Sequence, residues 1–371
     1  MNNTMLVIVA AGVIAAGAVS IIMTPSSTTI PIPEPKSSIH SVDNNPRRAV
    51  STIAQNLEAP RAVDIAHDGR IFFIEKIGRL RVILPNGTFV HEPVITIPVA
   101  HSQDNGLLGL ALHPRFDENH LIYLFYTYES SGKLYNKVLA ITEKRNKIIS
   151  EKVIIENIPG ALFNNGGRLK FGPDGKLYIS TGDAATPNLS QDIKSLAGKI
   201  LRVNSDGSIP TDNPFSDSAV YSFGHRNVQG LAWQPTTKQL YATEESGFGT
   251  DEINLIRSGR NYGWPSQECN ANDRKFESPL FCFNPSIGAT GATFNITNAD
   301  KGDLIIGTLK GYLRVIHLES KIQNNILVGY GSLRDVNYAQ DGSLYVVTSN
   351  NEEGSAVVKR NDDRILRIMK A

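Results

Sequence analysis

An excess of charge of either sign is missing from this chain: 37 Lys and Arg stand against 36 Asp and Glu in 371 residues. That balance, with no basic block anywhere, excludes the whole-molecule field by which nucleic acids are gathered, so any charged ligand must be met by a local cluster. Helical periodicity is not sustained beyond the first two dozen residues, which argues against a helical bundle. Neither a Ser-His-Asp arrangement nor a hydrolase-like carboxylate spacing is present. Cysteine is scarce, with Cys269 and Cys282 bracketing a polar loop. In an oxidising compartment the pair reads as a disulfide; a metal pair or two buried thiols are the other readings.

Long apolar runs are confined to one place. Met5 to Met23 carries no charge and is long enough to span a bilayer, so residues 1–23 read as a signal or, preferentially, an uncleaved membrane anchor. Residues 24–48 are rich in Pro, Ser and Thr and describe a semi-rigid tether. The folded part is therefore expected at residues 49–371, outside the cytoplasmic membrane. Asn86, Asn188 and Asn295 stand in glycosylation sequons.

What fills the rest is a repeat. An apolar triplet, a turn often holding Asp-Gly, and a Leu/Ile-Tyr/Phe-aliphatic run recur six times. With Ile65, Leu112, Phe171, Trp233, Phe294 and Tyr338 taken as equivalent, the steps are 47, 59, 62, 61 and 44 residues. Such spacing suits four-stranded blades with variable loops, and strands apolar on both faces suit blades packed side by side. The expected fold is all-β, a six-bladed β-propeller. Ser51 to Gln55 and Arg364 to Met369 are the expected closing strands of one shared blade.

The stretch from Gly224 to Pro265 holds the densest set of ligand-capable groups. Its loop Glu244 to Glu252 mixes carboxylates with glycines, which suits a hard cation such as calcium but is also ordinary solvated turn chemistry.

Several motifs together resemble the glucose/sorbosone dehydrogenase family, roughly from Asn56 to Met369. They include Asn105-Gly-Leu-Leu-Gly-Leu-Ala-Leu-His-Pro, Thr181-Gly-Asp-Ala, Gly224-His-Arg-Asn-Val-Gln-Gly, Asp251-Glu-Ile-Asn-Leu-Ile and Asn261-Tyr-Gly-Trp-Pro. The resemblance implies a six-bladed propeller that oxidises aldose sugars with pyrroloquinoline quinone (PQQ) and calcium, passing electrons to an external acceptor. It assigns Asp104, Arg226, Asn227, Lys310 and Arg334 to the cofactor, with Ser332 standing where relatives carry a second arginine. It assigns main-chain oxygens of Ser246 and Gly247 to the cofactor's calcium, and Asp251, Glu252 and Tyr262 to a second calcium.

One position departs from the pattern. Where relatives place a histidine that takes the sugar's proton, this chain has Asn164. An amide orients a hydroxyl but holds no proton at neutral pH. His101, Asp104 and His225 are the candidate substitutes. The rival reading is a non-catalytic extracytoplasmic propeller that binds a glycan, an anionic ligand or a protein.

Overall fold

The computed structural model describes residues 49–247, 249–269, 273–297, 302–350 and 363–369. The anchor expected at residues 1–23 and the tether at 24–48 lie outside them.

Six four-stranded antiparallel sheets make up the fold. Their first strands are Pro60–Ile65, Leu107–Leu112, Gly166–Phe171, Val228–Trp233, Ala289–Phe294 and Leu333–Tyr338. Each packs beside the first strand of the next sheet, and the sixth beside the first, so the ring closes as a six-bladed propeller. Leu107–Leu112 and Ala289–Phe294 are buried along their whole length. That is why their sequences read as continuous apolar runs rather than alternating ones.

Six apolar clusters fill the six gaps between neighbouring blades. Between the first two blades Phe72, Leu80, Leu110 and Leu124 meet; between the third and fourth, Tyr178 packs edge-on against Trp233 at 4.9 Å. Each fully buried Leu or Phe contributes about 1.5–3 kcal/mol by leaving water.

The recurring Asp-Gly turn has one geometry in three blades. Asp68, Asp174 and Asp341 each accept the backbone N–H two residues on, from Arg70, Lys176 and Ser343, at 2.8 to 3.1 Å. The glycines between them, Gly69, Gly175 and Gly342, have φ of 85°, 72° and 81°. A side-chain acceptor followed by a left-handed residue turns the chain tightly enough to join adjacent strands.

Closure occurs where the sequence placed it, with slightly different bounds. Val50–Ala54 pairs antiparallel with Arg364–Ile368, which in turn pairs with Leu344–Thr348. Cys269 and Cys282 form a disulfide, with Cα atoms 5.3 Å apart. One sequon expectation fails: the Asn295 side chain is buried and accepts the N–H and hydroxyl of Thr297, so the fold hides it from modification.

Candidate active site

In all six blades the pairing of the first strand with the second slips near the start of the first strand. The shifts fall between Pro60/Ala62, Leu107/Gly109, Gly166/Leu169, Val228/Gly230, Ala289/Ala292 and Leu333/Asp335. A bulge at that point re-aims the residue it contains. The re-aimed residues include Arg61, Leu108, Arg168, Gln229, Thr290 and Arg334, and all six line a pocket among the first strands. Gln229, Thr290 and Arg334 also line the adjoining cavity of about 180 Å³, together with Asp104, Asn164 and Glu245.

Charge is opposed across this space. Arg61 pairs with Asp104 at 3.5 Å. Arg168 forms an ion pair with Asp335 at 2.9 Å and donates to the main-chain oxygens of Gln229 and Arg334, tying the third, fourth and sixth blades together. Burial, and secondarily Asp104, push the Glu245 carboxyl above its ordinary range, while Arg226 pulls the other way.

Asn164 stands at the cavity wall in a left-handed conformation, with φ of 56°. Its Nδ2 donates to Asp183 Oδ1 at 2.9 Å, and the indole of Trp264 donates to Asp183 Oδ2 at 2.9 Å. Gly182 is obligatory beneath it, since an added Cβ would lie 1.9 Å from the Asn164 carbonyl oxygen. That contact explains the Thr-Gly-Asp sequence.

The other sequence-derived residues divide. Asp104 and Arg334 line the cavity; Arg226 lies behind it, donating to the Glu245 carbonyl at 3.0 Å with its guanidinium 5.6 Å from the Trp264 ring. Asn227 is buried, its amide accepting Gly166 N–H and donating to the Glu245 carboxylate, so it joins blades rather than facing the cavity. Lys310 is exposed, next to Leu309 in the lining. Ser246 and Gly247 follow Glu245 directly, with Gly247 packed under Trp264.

Two expectations are corrected. His225 is wholly buried, with one ring nitrogen 2.9 Å from Ser222 Oγ and the other 2.9 Å from Glu244 Oε2, so it is no base at the cavity. His101 is exposed and not among the cavity's lining residues. The Asp251 and Glu252 side chains lie on opposite faces of their strand. Asp251 accepts Ser286 Oγ and the N–H groups of Ile287 and Ala289. Glu252 accepts from Asn254 and Cys269 N–H on the other face, where burial and then Glu244 push its carboxyl up to about 7. The Tyr262 hydroxyl is occupied by Leu255 and Arg257, and its ring stacks on His225. No group of three or more His, Cys, Asp or Glu side chains is placed to hold an ion among the described residues.

Arg61, Gln229, Thr290 and Asp183 are not read as site residues from the sequence, and Glu245 only as part of the loop Glu244 to Glu252. The repeat carried the signal for the first three: Arg61, Gln229 and Thr290 each lie four residues before the equivalent positions Ile65, Trp233 and Phe294, as Arg334 does before Tyr338.

The first-strand bulges deliver three arginines, an amide and a hydroxyl to this space, where Asp104 and Glu245 add carboxylates, so it offers charge and hydrogen bonds to a small polar ligand. The chain belongs to the glucose/sorbosone dehydrogenase family, which matches residues 57–359. It is 32% identical over 334 residues to aldose sugar dehydrogenase YliI of Escherichia coli, covering 81% of this chain and 89% of that one. It is 35% identical over 248 residues to quinoprotein glucose dehydrogenase B of Acinetobacter calcoaceticus, covering 58% and 52%. The PQQ-bound aldose sugar dehydrogenase of Streptomyces coelicolor superposes with a TM-score of 0.78 at 32% identity, over 87% of this chain and 98% of that one. At the level of the family, the chain stands among sugar oxidoreductases.

Proposed function

We propose that the protein oxidises an aldose sugar in the cavity, with PQQ and calcium as its cofactors and an external electron acceptor. The observation that carries this reading is the placement of Arg334 and Asp104 on one cavity with Asn164, in a chain of this family. The donor chemistry fits the cofactor: Arg61, Arg168 and Arg334 surround the adjoining pocket, and guanidinium groups match carboxylates in planar, charge-assisted pairs.

When bound, PQQ supplies the two-electron acceptor for a hydride from the sugar. Arg334 would hold one of its carboxylates. Asn164, with Nδ2 committed to Asp183, keeps its amide oxygen as an acceptor that orients a sugar hydroxyl. The proton needs a different group. Of the three sequence-derived substitutes only Asp104 lines the cavity, so it is the group that takes the proton in this reading.

The test is dye reduction by the purified protein with PQQ, calcium and a panel of aldoses, alongside a calorimetric PQQ titration. Cofactor-dependent turnover, lowered by about two to four orders of magnitude in Asp104→Asn, is the expected result. PQQ binding without turnover in the wild type would favour the second reading, a non-catalytic ligand-binding propeller, for which Asn164 is the supporting observation. Absence of PQQ binding would remove the first reading altogether. We further propose an extracytoplasmic location with the N-terminal segment as membrane tether or export signal; the Cys269–Cys282 disulfide supports an oxidising compartment.

A further inference from the structure

We propose that Phe163 forms an outer sugar subsite at the mouth of the cavity. Its ring stacks on the unit attached to the one that enters, and so selects the reducing end of a di- or oligosaccharide over a free monosaccharide. Phe163 lines the cavity together with Asn164, yet it is 50% exposed. Around it the lining is mostly polar, with Asp104, Asn164, Gln229, Glu245, Thr290 and Arg334. A ring half in water against such a wall gains little from burial, so core packing does not account for it. Leu162, its neighbour in the chain, is 49% exposed and adds to the apolar character of the loop.

The loop that carries Phe163 is firmly mounted. It joins Lys147–Pro159 of the second blade to Gly166–Phe171 of the third. Asn165 is wholly buried beneath it: Oδ1 accepts Ala161 N–H at 3.0 Å and Asn136 Nδ2 at 3.1 Å, while Nδ2 donates to the carbonyls of Ala161 at 2.8 Å and Asp104 at 3.3 Å. Asp104 N–H donates to the Leu162 carbonyl at 2.8 Å, and Ala184 N–H to that of Asn164 at 3.0 Å. Asn136 lies in a hairpin peculiar to the second blade. Its strands Leu121–Ser130 and Lys133–Lys144 have 10 and 12 residues, whereas the described strands of the other blades have 2 to 6. Because Leu107 pairs with Tyr126, Thr127 to Ser130 run past the start of the first strand, on the cavity side. A ring held in place in advance loses little freedom when a ligand stacks on it.

An aldose is oxidised at its anomeric carbon, so only a unit with a free anomeric hydroxyl can be turned over beside Asn164. In a di- or oligosaccharide that unit is the reducing end, and every other unit must lie toward the mouth. A pyranose ring presents C–H groups on a face, and the negative π-face of an aromatic ring attracts their weakly positive hydrogens. Aromatic side chains with a few placed polar groups are the ordinary furniture of a small-molecule site. The inference rests on the preceding reading in placing the oxidised unit beside Asn164; the stacking itself requires only a glycan in the cavity.

The experiment uses the whole protein with PQQ and calcium, and compares glucose with maltose and cellobiose. Expected is a kcat/KM about three- to tenfold higher for at least one disaccharide than for glucose. Phe163→Ala should remove that preference through KM rather than kcat, the mark of a contact made equally before and during reaction. Phe163→Leu, which keeps apolar bulk on the loop, should remove it too, and Phe163→Trp should restore it. Equal losses for glucose and the disaccharides in Phe163→Ala, or a preference that survives it, overturn the subsite while leaving the proposed activity in place. Saturation-transfer NMR with the same disaccharides supplies a readout independent of turnover. Protein that turns over no sugar but transfers saturation to the C–H groups of the non-reducing unit, with the transfer lost in Phe163→Ala, removes the activity and keeps the subsite. Disaccharides that are neither oxidised nor bound overturn both.

Discussion

Two polar networks meet at Arg226, and they differ in what can reach them. One runs from Asn164 through Asp183 to the Trp264 indole and borders the cavity. The other runs from Ser222 through His225 to Glu244 and is sealed, with His225 wholly buried. The backbone of Arg226 joins them, its carbonyl accepting from Asp183 N–H and its N–H donating to Glu244. The sealed network has the hydroxyl, imidazole and carboxylate of a hydrolytic site but no room for a substrate. The open one has the room but no imidazole. Access, rather than residue type, decides which of them a ligand can reach.

The comparison is sharpened most by moving the imidazole. Asn164→His places a base at the open network, and PQQ-dependent dye reduction should rise by about a hundredfold or more; a fall would show that the Asn164 amide has a task of its own. Removing the sealed imidazole tests the opposite half. His225→Ala leaves Glu244 buried with a lost partner and should cost about 3 kcal/mol in denaturant unfolding, and a loss under about 0.5 kcal/mol, within the range of ordinary surface substitutions, would refute the structural role assigned to it.

Arg334→Ala should weaken PQQ binding by about 1.5–3 kcal/mol, roughly ten- to a hundredfold, by removing one charge-assisted contact. Calorimetry reads this directly, and unchanged affinity would separate Arg334 from the cofactor. The smallest effect concerns Lys199, which braces the sealed network by donating to the carbonyls of Leu189, Ser190 and Ala197. Burial lowers its ammonium to about 7. With the folded value below the unfolded one, the unfolded chain binds more protons above neutrality, so stability should rise from pH 7 to 9. Because three carbonyls favour the charged form, the rise should be about 1 kcal/mol or less. Unfolding curves at the two pH values check it, and Lys199→Met should abolish the difference.

Blade number and closure were legible because they rest on composition along strands: an apolar core in each gap demands the six repeats, and Asp-Gly turns announce themselves by residue type. The site was legible in part. Asp104, Asn164 and Arg334 were found through family motifs. Arg61, Gln229 and Thr290 were missed because a bulge is a shift of register, which leaves no mark in residue type at a single position. His225 was misjudged for a related reason. Its neighbour Arg226 is part-buried, and nothing in the pair His225-Arg226 tells which side chain turns into the wall. Asp251 and Glu252 come together only through the family resemblance; as neighbours on one strand their side chains face opposite sides, a placement that residue type does not show.

Arg364–Ile368 lies between Val50–Ala54 and Leu344–Thr348 in its sheet. Of the described strands it leaves the ribosome last, yet it must enter between two made earlier. Five blades can therefore assemble during synthesis while the sixth waits, and the axial cavity acquires a complete wall only after translation has passed the final strand.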